Sequence, residues 1–137
     1  MNILFVCRAN VGRSQMAAAL YNNLYPDTAS SAGTAVDEPG QFLSDRPGAK
    51  NAIEVMHELG IDISKNERTQ LYEKDQLKYD LIVVMTDSGT IPDFLKQGEN
   101  VEFWDVDDPR YMDLDETRKV RDLIKSSIDK LIAKFDK

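Results

Sequence analysis

The first part of the chain, residues 2–24, predicts a buried strand that leads through a polar loop into a helix. Residues 3–6 (ILFV) form an uninterrupted apolar run, which is typical of a strand covered on both faces of its sheet. The polar loop CRANVGRS follows at 7–14. Beyond it, Met16 and Leu20 recur at helical spacing in an alanine-rich segment, and alanine is the strongest helix former.

The same alternation continues along the chain and predicts an α/β fold with a parallel sheet. Further strands are expected at 28–32, 80–86 and 101–106, and further helices at about 48–59, at 88–96 and through 120–135. Strands that alternate with helices form an open, doubly wound sheet in three layers, with helices on both faces. Ligands of such sheets bind outside the carboxyl ends of the strands. Here that edge carries the loops that begin at Cys7, Thr86 and Asp107.

Length and charge narrow the class of protein. A chain of 137 residues with 42% hydrophobic residues predicts one domain, spanning residues 1–137. Its 24 acidic and 17 basic residues give a net charge of −7, which argues against nucleic-acid binding and against attraction to anionic membranes. Any anion that this chain binds must therefore be held by a local arrangement of groups that outweighs the overall negative charge.

The numbers of cysteine and histidine residues limit the metal sites that the chain can form and indicate its cellular compartment. The single cysteine excludes an intramolecular disulfide, and the single histidine excludes a His–His metal site. The N-terminus has no leading basic region, and no apolar run approaches the roughly 20 residues of a membrane span. We therefore expect neither a signal peptide nor a transmembrane helix, and the expected compartment is the cytoplasm, where a lone thiol stays reduced.

The lone cysteine, Cys7, stands where the first strand meets the first helix, in the spacing C-x5-R-S with Arg13 and Ser14. Backbone N–H groups and the helix dipole make such a junction electropositive, which favours the nucleophilic thiolate over the thiol. Arg13 offers a planar fork for two hydrogen bonds to an oxyanion, and Ser14 can donate its hydroxyl to the sulfur. The alternative interpretation is a buried core cysteine followed by a solvated arginine.

Two further loop residues and a downstream acid complete the predicted site. Asn10 suits a left-handed backbone position, and Gly12 allows the backbone to approach a ligand. Asp108, in Asp107-Asp108-Pro109 after the last strand, is a candidate general acid that protonates a leaving oxygen and later activates water. The DDP triplet is also an ordinary turn signal, so this assignment depends on the rest of the site.

With these parts identified, the chain resembles the low-molecular-weight protein tyrosine phosphatase family, including its arsenate reductase branch. The resembling segments run through nearly the whole chain: FVCRANVGRSQMA at 5–17, SAGT at 31–34, DR at 45–46, YDLIVVMTD at 79–87 and DDP at 107–109. The resemblance implies a four-stranded sheet in the order 2-1-3-4 and a site that uses neither a metal nor a cofactor.

The resemblance also implies a role for each residue of the loop. The implied catalytic and supporting residues are Cys7 as nucleophile, Arg13 as phosphate clamp, Ser14 as thiolate donor, Asn10 as loop brace and Asp108 as general acid. The cradle that binds the phosphate is then completed by Arg8, Ala9, Val11 and Gly12.

The sequence departs from the family pattern in the loop and in the walls of the substrate slot. The usual loop reads C-x-G-N-x-C-R-S, whereas Ala9 replaces its glycine and Gly12 its second cysteine. Family members bind phosphotyrosine between aromatic walls, for which Phe42 and Tyr111 are the candidates here. Arg110 takes the place of one wall residue, and two interpretations of it stay open: a group that attracts an acidic substrate and a solvated loop charge, of which we slightly favour the second.

Three functions are compatible with these features. The leading one is a cysteine-dependent phosphatase that hydrolyses phosphotyrosine or aryl phosphate monoesters through a phosphocysteine, its partner being a phosphorylated protein or a small aryl phosphate. The second is an arsenate reductase that uses an external small thiol, because one cysteine cannot perform the three-cysteine relay of thioredoxin-coupled members. The third is an oxyanion-binding module with weak or no catalysis. The sequence leaves the oligomeric state open.

Overall fold

The centre of the fold is a four-stranded, all-parallel sheet, seen in a computed structural model that describes residues 1–86 and 88–135. The strands are β1 (Ile3–Cys7), β2 (Ala29–Gly33), β3 (Leu81–Val84) and β4 (Val101–Phe103). Their spatial order, β2-β1-β3-β4, confirms the predicted order 2-1-3-4. Asp87, the last residue of the segment at 79–87, and the two C-terminal residues lie outside the described part of the chain.

Helices cover both faces of the sheet, which confirms the three-layer, doubly wound α/β fold. The α-helices are α1 (Arg13–Leu24), α2 (Lys50–His57), α3 (Asp93–Lys96) and α4 (Leu114–Phe135). One face, with Phe5 and Val83, packs against α1, α2 and α4 in the larger core. The opposite face, with Val6 and Ile82, packs against Leu95 of α3 in the smaller core. None of these described helices is long and apolar enough to cross a bilayer.

Four predicted elements are shorter in the structure than in the sequence-based prediction: the helix expected at about 48–59 and the strand expected at 80–86 lose a few residues at their ends, and two others differ for identifiable reasons. The helix expected at 88–96 divides into a 3-10 turn at Ser88–Thr90 and a single α-helical turn, α3, because Pro92 adopts an extended conformation immediately before α3. The strand expected at 101–106 ends at Phe103, since its partner β3 ends at Val84. The division of the helix has a local cause, since proline disfavours a helix interior, whereas the early end of the strand depends on strand pairing, which local propensity does not encode.

The register of the sheet brings the loops of interest to one edge. β1 lies between β2 and β3, and its last residue, Cys7, stands opposite Gly33 at the end of β2. The next residue back, Val6, pairs with Val84 at the end of β3. Because the strands are parallel, the loops that follow β1, β2, β3 and β4 meet around Cys7. This is the edge at which open α/β sheets bind ligands.

Candidate active site

The segment from Cys7 to Ser14, here called the anion loop, joins β1 to α1. Cys7 is only 2% exposed, and its Sγ atom lies 3.0 Å from the Ser14 Oγ atom. Arg13 and Ser14 are the first two residues of α1 and are both buried. The structure therefore brings together the cysteine, the arginine and the serine that the C-x5-R-S spacing predicted.

Asn10 holds the anion loop in its turn. Its φ of 56° is left-handed, as predicted, and its side chain is completely buried. Its Nδ2 atom donates to the Ser14 Oγ atom at 2.7 Å, and its Oδ1 atom accepts from the Thr69 backbone N–H at 2.8 Å. Because the Ser14 oxygen accepts from the amide, the serine proton is left to be donated to the Cys7 sulfur. Asn10 thus orients the hydroxyl that supports a thiolate.

The backbone of the anion loop is available to an anion. Among the described residues, the N–H groups from Arg8 to Gly12 donate to no carbonyl or side-chain acceptor. The loop leads directly into α1, whose first N–H groups and dipole add positive potential. These features are those of an oxyanion cradle at a helix N-terminus.

Arg13 is anchored by the ends of two other strands. Its Nη1 atom donates to the carbonyl oxygens of Met85, at 2.5 Å, and Val106, at 3.2 Å, which follow β3 and β4. Its Nη2 atom lies 3.7 Å from an Oδ2 of Asp108. The backbone bonds all use Nη1, so Nε and Nη2 remain for a bidentate contact with an oxyanion.

Asp108 lies on the loop after β4, beside the guanidinium of Arg13. Its side chain is 46% exposed and lines the cavity described below, whereas the neighbouring Asp107 does not. One carboxylate oxygen of Asp108 accepts from the Arg110 backbone N–H at 3.0 Å, which fixes the carboxylate in a short turn. This position suits a group that exchanges a proton with a ligand in the cavity.

Two glycines allow the loops around the site to approach closely. A Cβ atom on Gly12 would stand 3.0 Å from the ring of Pro109, so this glycine permits contact with the acid-bearing turn. A Cβ atom on Gly33, within SAGT, would stand 2.6 Å from the Arg8 carbonyl oxygen. Ala9, which replaces the family's glycine, has no positive φ, so its methyl group is compatible with the backbone there.

A cavity of about 410 Å³ opens beside the anion loop. Arg8, Ala9, Val11 and Gly12 line it together with Cys7, Arg13 and Asp108, while Asn10 and Ser14 support the loop from behind. Its other walls come from parts of residues 35–52, from residues 109–110 and from Thr117 of α4. Within the described part of the chain, no group of three or more histidine, cysteine or acidic side chains is arranged to hold a metal ion.

The two aromatic wall candidates do not reach this cavity. Phe42 is 47% exposed and its backbone pairs with Glu67, while Tyr111 is 86% exposed in the turn after Pro109. Neither side chain is among those that line the cavity, and no other aromatic side chain of the described residues is. The proposed wall roles of Phe42 and Tyr111 stay predictions.

A buried arginine, Arg68, supports the anion loop and was missed by sequence reasoning. Its side chain is fully buried, its Nε and Nη2 atoms donate to the Ala9 carbonyl oxygen, and Nη2 also contacts Asp37 at 2.7 Å. Its Nη1 atom donates to Gln41 at 2.9 Å. Arg68 therefore ties the anion loop to the loop that follows β2. It lies in an irregular segment, where periodicity gives no signal.

Asp37 is the exposed end of this network, and it makes stability depend on pH. Hydrogen bonds from Arg68 and then from Arg46 lower the pKa of Asp37 from 3.8 to about 2. Because the pKa of Asp37 is lower in the folded chain than in the unfolded chain, the carboxylate stabilises the fold at pH values above the unfolded pKa. This stabilisation is lost as the pH falls through the folded pKa. The relevant window therefore runs from about pH 4 down to about pH 2.

Replacement of Asp37 by asparagine is expected to abolish this pH-dependent contribution. The difference in unfolding free energy between the wild type and Asp37→Asn should be constant near neutrality and should shrink between about pH 4 and pH 2. Urea unfolding at several pH values measures it. In an Arg68→Met background the same comparison should show a smaller pH dependence. A difference that grows as the pH falls would contradict the assignment.

Known proteins match the chain over nearly its whole length. The family model described as low molecular weight phosphotyrosine protein phosphatase matches residues 2–137. Among curated proteins, the glutaredoxin arsenate reductase of a Synechocystis species is 31% identical over 135 residues, which cover 97% of each chain. The sequence similarity therefore reaches both branches considered above.

Solved structures share the fold and include two kinds of phosphatase. The low-molecular-weight protein tyrosine phosphatase from T. tengcongensis has a TM-score of 0.81 and 31% identity, over 98% of this chain and 99% of its own. The arginine phosphatase from Geobacillus stearothermophilus has a TM-score of 0.81 and 28% identity, over 98% and 92%. On the family match, this chain belongs to the low-molecular-weight phosphotyrosine protein phosphatase family.

Proposed function

We propose that the protein is a cysteine-dependent phosphatase that hydrolyses aryl phosphate monoesters, phosphotyrosine in proteins among them, through a phosphocysteine intermediate. The observation that carries the proposal is the position of the Cys7 sulfur, 3.0 Å from the Ser14 hydroxyl at the mouth of α1, in a cavity that also contains Arg13 and Asp108. A nucleophile, an anion clamp and a candidate acid thus share one small volume.

The first chemical step is transfer of the phosphoryl group to sulfur. The Cys7 thiolate attacks phosphorus in line with the ester oxygen, so that an S–P bond forms as the P–O bond breaks. The equatorial oxygens bind the free N–H groups of the anion loop and the Nε and Nη2 atoms of Arg13. Asp108 enters as the carboxylic acid and gives its proton to the leaving oxygen.

The second step hydrolyses the phosphocysteine. The Asp108 carboxylate accepts a proton from a water molecule whose oxygen attacks phosphorus, and the S–P bond breaks to release phosphate. Ser14 assists departure of the sulfur by donating its hydroxyl proton toward the developing thiolate. The enzyme then returns to its starting protonation state, and no redox partner is consumed.

Turnover of para-nitrophenyl phosphate by the purified protein tests the proposal. We expect phosphate release that disappears in the Cys7→Ser variant, which keeps the size of the side chain but replaces a thiolate by a weak nucleophile. A Ser126→Ala variant, altered at an exposed position of α4 that does not line the cavity, serves as a surface control. Oxyanion binding without turnover would reject the phosphatase and favour a binding module.

A second candidate function is arsenate reduction with an external small thiol. The curated relative named as a glutaredoxin arsenate reductase favours it, as does the segment RSQMA. In this reaction the Cys7 thiolate displaces a hydroxyl group from arsenate, and a first thiol attacks the Cys7 sulfur. That attack releases arsenite and leaves a mixed disulfide, from which a second thiol displaces Cys7. The two thiols supply the two electrons that reduce arsenic.

Incubation with arsenate and a small thiol separates the two candidates. Arsenite production without hydrolysis of para-nitrophenyl phosphate would identify a reductase. Hydrolysis without arsenite production would identify a phosphatase. Because Cys7 is only 2% exposed, we expect a small free thiol to be the effective reductant in any reductase reaction.

A further inference from the structure

We propose that the cavity selects substrates in which a second anionic group, such as a carboxylate, lies close to the phosphate in the same small molecule. The proposal rests on the proposed function and names the substrate class of that same site. Three basic residues that line the cavity carry the argument: Arg8, Lys50 and Arg110, here called the rim cations. The cavity, at about 410 Å³, has the volume of a small-molecule site.

The rim cations are not neutralised by the protein. Two other basic residues of the cavity have acidic partners: Arg46 lies 3.0 Å from Asp37, and Arg13 lies 3.7 Å from Asp108. In contrast, no described carboxylate lies within ion-pair distance of any rim cation. The cavity therefore carries an excess of positive charge in a chain whose net charge is −7.

The rim cations come from three separate elements and are all exposed. Arg8 belongs to the anion loop, Lys50 is the first residue of α2, and Arg110 lies in the turn after Asp108. The Arg110 guanidinium lies over the ring of Tyr111, 4.9 Å from its centroid, so the tyrosine supports a rim cation from outside the cavity. Charges that approach from three elements surround a ligand rather than forming a flat patch.

The phosphate alone does not need these three charges. Its oxygens have Arg13, the free N–H groups of the anion loop and the N-terminus of α1. The rim cations are therefore left for another part of the ligand. No described aromatic residue lines the cavity, and its uncharged lining consists largely of small or aliphatic residues such as Ala35 and Pro47, so the charged side chains are the groups that can select what lies beside the phosphate. A second anion is the chemistry that such a wall recognises.

Two phosphonates of equal shape test the proposal, because phosphonates bind without being hydrolysed. The probes are para-carboxybenzylphosphonate and para-carbamoylbenzylphosphonate, which differ only in the charge of the para group. We expect the carboxylate to bind the wild-type protein about tenfold more tightly in calorimetry at low salt, or about 1.4 kcal/mol. The preference should shrink as salt is added, because exposed charges are screened.

Single variants locate the source of the preference. Lys50→Gln and Arg110→Gln should each reduce the ratio of the two affinities several-fold. Lys130→Gln, which removes an exposed lysine of α4 that does not line the cavity, should leave the ratio unchanged. The negative net charge of the chain repels an added carboxylate, so a preference for it can arise only from local cations.

The outcomes distinguish this proposal from the phosphatase function itself. Equal affinity for the two phosphonates, or no binding of either, overturns the proposed substrate class even if para-nitrophenyl phosphate is hydrolysed. If the protein prefers the carboxylate and this preference disappears in the rim variants, the proposed substrate class is supported. If para-nitrophenyl phosphate is nevertheless not hydrolysed, only the phosphatase function is rejected. If the preference survives in both Lys50→Gln and Arg110→Gln, other residues cause it, and the proposal is overturned.

Discussion

Replacement of Cys7 by serine is expected to lower kcat for aryl phosphate hydrolysis by about 10⁴-fold or more, as removal of an enzyme nucleophile does elsewhere. Among the described residues that line the cavity, Cys7 carries the side chain best suited to attack phosphorus, because thiolate sulfur is a strong nucleophile. Its neighbours Ser14 and Asn10 remain in place in the variant, since they are buried and bonded to each other.

A binding measurement distinguishes a Cys7→Ser variant that has lost only its nucleophile from one in which the site no longer forms. Inorganic phosphate should bind Cys7→Ser at least as well as it binds the wild type, because a neutral hydroxyl repels the anion less than a thiolate does. Calorimetry with phosphate measures this directly. Substantial hydrolysis by the serine variant would show that another residue attacks phosphorus.

Replacement of Asp108 by asparagine should lower kcat for phenyl phosphate by about 10²-fold or more, the usual contribution of a general acid. Asp107→Asn is the matched control, since it makes the same change one residue earlier, on a side chain that does not line the cavity. We expect the control to retain most of its activity. Equal losses, or a larger loss in Asp107→Asn, would show that Asp108 is not the acid.

The leaving group distinguishes proton transfer from the contact between Asp108 and Arg13. Para-nitrophenolate departs readily without a proton, whereas phenolate does not, so Asp108→Asn should slow phenyl phosphate more than para-nitrophenyl phosphate. If the only role of Asp108 were to orient the Arg13 guanidinium 3.7 Å away, both substrates should be slowed alike. The ratio of kcat values for the two substrates is therefore the informative measurement.

Local sequence predicted the features that depend on neighbouring residues. The apolar run before Cys7, the alanine-rich helix after it and the spacing to Arg13 are all contained within the β1–α1 unit. Asn10 could be assigned a left-handed turn because few residue types other than glycine adopt one, and its φ of 56° agrees. The parallel sheet followed from the alternation of strands and helices, and its order from the family resemblance.

Features built from distant segments were not predictable in this way. Arg68 reaches the Ala9 carbonyl across 59 positions of sequence, and nothing in its own neighbourhood marks it as buried. Lys50 and Arg110 likewise share the cavity only because α2 and the turn after β4 meet at the same edge of the sheet. Such contacts depend on how loops close, which local pattern and propensity do not specify.

Reactivity and selectivity are encoded in different stretches of this polypeptide. The sulfur and its supporting hydroxyl belong to an interior strand and the helix that follows it, whereas most of the outer wall belongs to residues 35–52 and 109–110. A combinatorial library confined to those two stretches should therefore yield catalysts with altered preferences and an intact reaction pathway. The architecture lends itself to diversification, because new specificities can arise without rebuilding the apparatus that breaks the bond.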